Sequence, residues 1–66
     1  MKQITGKELA RLIEEQGWQL YRIKGSHHIY KHSSRKEHIS IPIHGSRPLA
    51  LGLARHLLKI AGIIVE

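Results

Sequence analysis

The residues best suited to chemistry in this chain lie in Gly25-Ser26-His27-His28. Imidazole titrates near about pH 6.5, so a histidine can take or give a proton at neutral pH. His27 follows a glycine-containing turn, where backbone can approach a phosphate closely and amide groups can point at it. Ser26 adds a hydroxyl contact, and His28 is a second-rank candidate beside it. Arg22, Lys24, Lys31 and Arg35 are close in sequence and supply positive charge for a phosphate backbone. RNA brings its own nucleophile, the 2′-hydroxyl, which attacks the neighbouring phosphate once deprotonated. That reaction needs a positioned base, an acid for the leaving oxygen and positive charge on the phosphate. No metal is required. Spacing alone equally allows a plain turn between two strands that carries surface histidines.

Other chemistries fit less well. Glu37 is the only acid between Arg22 and Arg47, so a carboxylate-bound magnesium centre is not expected. Adjacent His27 and His28 on a strand point to opposite faces, and His28 and His32 stand roughly 13 Å apart at ~3.3 Å per residue. That is too far for one zinc ion. There is no cysteine, hence no disulfide, thiolate site or cysteine nucleophile. No candidate acid lies near Ser26 in sequence to orient a histidine for serine hydrolysis. Neither a metal nor a cofactor is expected, and no small-molecule substrate is indicated.

The elements that must position these residues are legible from periodicity. Thr5-Gly6-Lys7-Glu8 has the capping-box form, and Leu9, Leu12 and Ile13 recur behind it at helical spacing. Gly17 supplies the stop, which predicts a helix over residues 6–16. Residues 18–24 alternate as a strand, Gly25-Ser26 is a turn, and residues 27–32 form the next strand. After a polar loop, residues 38–43 set Ile39, Ile41 and Ile43 on one face, with Pro42 either facing an open edge or ending the strand. Leu51, Ala54, Leu57, Leu58 and Ala61 then make a helical stripe, ended by Gly62. Trp18, Tyr21 and Tyr30 read as core residues before they read as base-stacking platforms. The expectation is one α+β domain over residues 1–66, α–β–β–β–α, with a three-stranded antiparallel sheet packed against two helices.

Charge sets the class of partner. Eleven Lys and Arg face five acidic residues in 66, and all five acids are Glu. From Arg22 to Arg47 six basic residues stand against Glu37 alone, and five of the six histidines share that stretch. A basic middle flanked by nearly neutral ends suits a polyanion. A chain this small buries only about 60% of the surface it exposes when unfolded, so its stability is marginal. No apolar run approaches the ~20 residues that span a bilayer, and no signal-like stretch opens the chain. A soluble cytoplasmic protein without membrane contact is expected. The apolar residues Ile63-Ile64-Val65 need cover and offer an alternative role as a protein-docking edge.

Taken together, the segments resemble the HicA toxin family, also described as YcfA-like. The resemblance covers nearly the full chain: an amphipathic helix ending in Gly17-Trp18, then Gly25-Ser26-His27-His28-Ile29-Tyr30, then Ile41-Pro42-Ile43-His44. It closes on Gly52, Arg55, Leu57-Leu58-Lys59 and Ala61-Gly62-Ile63. Leu53 departs from it, standing where the family often has threonine. The resemblance implies a fold like a double-stranded-RNA-binding domain. It implies a ribosome-independent endoribonuclease of mRNA, neutralised by a HicB-type antitoxin. It places the catalytic histidine on His27 and the motif glycine and serine on Gly25 and Ser26. A non-catalytic RNA-binding module of the same fold is the alternative.

Overall fold

The computed structural model describes residues 3–63. Its elements are α1 (Gly6–Glu15), β1 (Gln19–Lys24), β2 (His27–Lys31), β3 (Ile39–Pro42) and α2 (Leu51–Ala61). The strands form one antiparallel sheet in the order β1-β2-β3. The expected α+β class and element order are therefore the observed ones. No helix among the described residues is long and apolar enough to cross a membrane.

α1 starts as its sequence requires. The Thr5 hydroxyl accepts from the Glu8 N–H at 3.1 Å, and the Thr5 N–H donates to Glu8 Oε1 at 2.8 Å. Two of the helix's free N–H groups are thereby satisfied. Its end is a Schellman turn: Gly17, at φ +97°, donates to the Glu14 carbonyl, and Trp18 N–H donates to that of Ile13. Because that turn holds the Trp18 amide, β1 begins one residue later than the alternation suggested. α2 lacks a side-chain cap at its start, where Ala50 stands. It ends as α1 does, with Gly62 at φ +83° donating to Lys59 and Ile63 donating to Leu58.

The core lies between the helices and one face of the sheet. Leu9, Ile13, Trp18, Ile39, Ile41 and Leu58 are its largest fully buried side chains. Both helices pack on β3, so β1 lies beyond their cover and all six of its residues are exposed. Trp18 and Tyr30 are core residues as expected, whereas Tyr21 is 51% exposed. The register explains the difference. Leu20 pairs with Tyr30 and Arg22 with Ile29, leaving Tyr21 as the extra residue of a β-bulge. Leu12, expected on the buried stripe, is also exposed. Ile63 packs against the core, while Ile64 and Val65 lie outside the described residues.

Two consequences are measurable. A Cβ on buried Gly6 would stand 2.6 Å from the Pro42 carbonyl oxygen and 2.9 Å from Ile43 Cγ1. Backbone cannot yield as a flexible side chain would, so Gly6→Ala should cost about 1–3 kcal/mol. Urea denaturation should show a lower midpoint at unchanged slope, and an unaltered midpoint would contradict the close approach. The second concerns Tyr30, whose hydroxyl donates to Glu14 Oε2 at 3.3 Å. Burial, then the Glu14 charge and the hydrogen bond to it, raise its pKa above the usual 10.0. The folded state holds this proton more tightly than the unfolded one. The resulting stability is complete below pH 10.0 and declines as pH rises through the folded value. Tyr30→Phe should flatten that alkaline decline in thermal melts between neutral pH and about pH 11.

Candidate active site

Two residues, Gly25 and Ser26, join β1 to β2. Gly25 has φ +61° and Ser26 a negative φ, the pattern of a type II′ hairpin turn. No atom lies within 4 Å of where a Gly25 Cβ would stand, so the turn needs glycine for its backbone angle rather than for space. The turn sets the register. Lys24, His27 and Pro42 stand in one row across the sheet, and Arg22, Ile29 and Ser40 in the next row of the same face. Residues in one row share a face. Tyr30, Ile39 and Ile41 are buried beneath the helices, so His28, paired with Ile41, faces that side and is half-buried. His27 alternates with it and is exposed on the open face.

There Lys24, His27, Ile29 and Ser40 line a concavity of about 340 Å³. His27 Nδ1 lies 3.3 Å from Ser40 Oγ. With Nδ1–H donating to that oxygen, the lone pair on Nε2 is left to accept a proton. The imidazolium formed by that transfer keeps the same Nδ1–H donor and the same bond. A serine hydroxyl can therefore orient the ring both before and after proton transfer. Among the described residues, no three of His, Cys, Asp and Glu come together to hold a metal ion.

The other nominated residues separate into groups. Lys24 joins His27 at the concavity. Arg22 and Lys31 gather instead around Tyr21, with the guanidinium carbon 5.8 Å and the ammonium nitrogen 4.5 Å from the ring centroid. Ser26 is half-buried in the turn, and its carbonyl accepts from the Ile43 N–H at 2.8 Å. Arg35 donates from Nη1 to the Ile60 carbonyl at 3.1 Å, at the C-terminal end of α2 where cations are favoured. His32 is held between helix and strand. Its Nδ1 accepts from Ser34 N–H, which makes Nε2 the donor to the Gln16 carbonyl. His44 and His56 are exposed. Ser40 was not among the nominated residues. Alternation in Ile39-Ser40-Ile41 puts it opposite the buried isoleucines, but only the β2–β3 register puts it beside His27.

A family model described as HicA toxin of bacterial toxin–antitoxin systems matches residues 6–63, which take in both helices and all three strands. The chain belongs to the HicA toxin family. No curated protein matches it. HicA proteins are toxins of bacterial toxin–antitoxin systems, so membership implies an antitoxin as partner. The resemblance drawn from Gly25-Ser26-His27-His28 and the flanking helices thus agrees with an independent match across the HicA fold.

The bond from His27 to Ser40 is directly testable. Ser40→Ala removes an exposed hydroxyl and should leave the fold intact, while the His27 ring loses its Nδ1 partner. Imidazole ¹⁵N spectra should then move from one dominant tautomer towards an average of two. Identical His27 signals in both proteins would mean that the bond does not form in solution.

Proposed function

We propose that this HicA-family chain is a metal-independent, ribosome-independent endoribonuclease that cleaves mRNA by acid–base chemistry at His27. The observation that carries the reading is His27 on the open face of a sheet whose strands contain no acidic residue, with Nδ1 held by Ser40 and Lys24 at the same concavity. Nε2 takes the proton of the RNA 2′-hydroxyl, and the 2′-oxygen attacks the adjacent phosphorus. As the new P–O2′ bond forms, the P–O5′ bond breaks. The 5′-oxygen leaves with a proton, which the imidazolium can return from the same nitrogen. The products are a 2′,3′-cyclic phosphate and a 5′-hydroxyl, so protons and electrons balance without a co-reactant. Lys24 offsets the charge that builds on the phosphate oxygens. Gly25 and Ser26 hold the turn that brings Lys24 and His27 into one row, which is a shaping role rather than a reacting one.

A HicB-type antitoxin would silence such an enzyme most directly by covering the concavity around His27. Binding to the folded toxin alone would also raise its stability by linkage. A non-catalytic RNA-binding module is the rival reading, and His27 separates the two. RNA should be cut by the purified chain in EDTA, leaving cyclic or 3′-phosphate ends, while His27→Ala should lose at least about 10²-fold, the low end for acid–base catalysis. Equal cleavage by both proteins would move the chemistry elsewhere. RNA bound by both and cut by neither would establish the module.

A further inference from the structure

Tyr21 is the one bulge residue of the β1–β2 ladder, and it does not behave as a core aromatic. Half of it is exposed. Lys31 Nζ stands 4.5 Å from the ring centroid, Arg22 Cζ 5.8 Å, and the His38 ring centroid 5.7 Å at 49°. No residue of the three strands is acidic. Two cations and an imidazole ring thus adjoin one aromatic ring, and no strand carboxylate is among them. Mutual repulsion disfavours such a cluster, and the ring face offsets it only in part. A polyanion relieves the repulsion, and an exposed aromatic among cations matches what binds single-stranded nucleic acid: bases stack on the ring while phosphates meet the charges.

Placement ties this cluster to the concavity. His27, Ile29 and Lys31 alternate onto the same face of β2, with Lys31 four residues beyond His27. The span is about 13 Å at ~3.3 Å per residue, within reach of the same RNA strand a short run of nucleotides from the scissile bond. Arg22 adjoins both sites, sharing a row with Ile29 and Ser40 of the concavity while its guanidinium lies against Tyr21.

We propose that Tyr21, with Arg22, Lys31 and His38, forms a second RNA subsite that stacks one unpaired base and grips its phosphate. This rests on the RNA-cleaving reading but assigns a separate site, whose residues take no part in proton transfer. The test uses a single-stranded 2′-O-methyl oligoribonucleotide, which lacks the attacking hydroxyl and so reports binding alone. Anisotropy should show Tyr21→Leu binding about tenfold more weakly and Tyr21→Phe nearly as tightly as wild type, since stacking needs the ring and not the hydroxyl. Lys31→Gln should reduce the slope of log affinity against log salt by about one. With 2-aminopurine walked along the oligomer, emission should be quenched at one position in wild type and recover there in Tyr21→Leu.

If wild type binds the oligomer and Tyr21→Leu binds it equally well, the subsite is refuted while the cleavage reading stands. An equal loss in Tyr21→Phe would also refute it, because a stacking role survives loss of the hydroxyl. Should wild type ignore the oligomer altogether and leave ordinary RNA uncut, the RNA reading falls and the subsite with it. If Tyr21→Leu instead loses only antitoxin binding, the ring belongs to a protein interface and the proposal is overturned.

Discussion

The register of β2 is the constraint on which the rest depends. Side chains alternate along a strand, so a slip of one residue would exchange His27 with His28 and Tyr30 with Lys31. Two features hold the register in place. The Gly25-Ser26 turn fixes the pairing of Lys24 with His27, and burial of Tyr30 against Ile39 fixes which face meets the helices. The slipped arrangement would put the Lys31 ammonium in the core and the Tyr30 ring in water, a large penalty for a domain with little stability to lose. The same packing that makes the core therefore puts His27, Lys24 and Ser40 on one open face.

That face is open because both helices pack on the other side of the sheet, and even there they leave one strand uncovered. Both lie against β3, and β1 projects past them with every residue exposed. In a larger domain such an edge would be covered or paired, since unpaired strand edges invite association. Here its outward row carries Arg22 and Lys24, whose charges oppose edge-to-edge pairing with another copy and suit a polyanion. Leu20 and Ile23, in register with Tyr30 and His28, leave apolar surface on the helix side of the same strand. β1 thus has one basic face and one partly apolar face.

Charged and aromatic groups near one another in sequence have parted into different duties. Arg35 and His32 both sit at helix ends, one on the Ile60 carbonyl of α2 and the other on the Gln16 carbonyl just past α1. Each satisfies an acceptor that the end of a helix leaves free. Their contribution is to hold the β2–β3 loop and the helix termini together. Arg22, Lys24 and Lys31 face outward from the sheet, Arg22 and Lys31 against the Tyr21 ring and Lys24 at the concavity.

Local chemistry made much of this protein legible in its sequence. Thr5 and Glu8 announce the start of α1, Gly17 and Gly62 the ends of both helices, and Gly25-Ser26 the hairpin, because each acts through hydrogen bonds or backbone angles within a few residues. Alternation likewise separated His27 from His28. Three things were decided only by the tertiary structure. The bulge at Tyr21 depends on how β1 aligns with β2 over its whole length, and the tendency of aromatics to fill small cores read that residue as core. Ser40 meets His27 through pairing of strands thirteen positions apart, which no local pattern encodes. Arg35 looked like one more basic residue beside the motif until folding brought it to the end of α2, twenty-five positions away. Periodicity reports which face a residue takes, whereas its neighbours on that face are set by register and packing between distant segments.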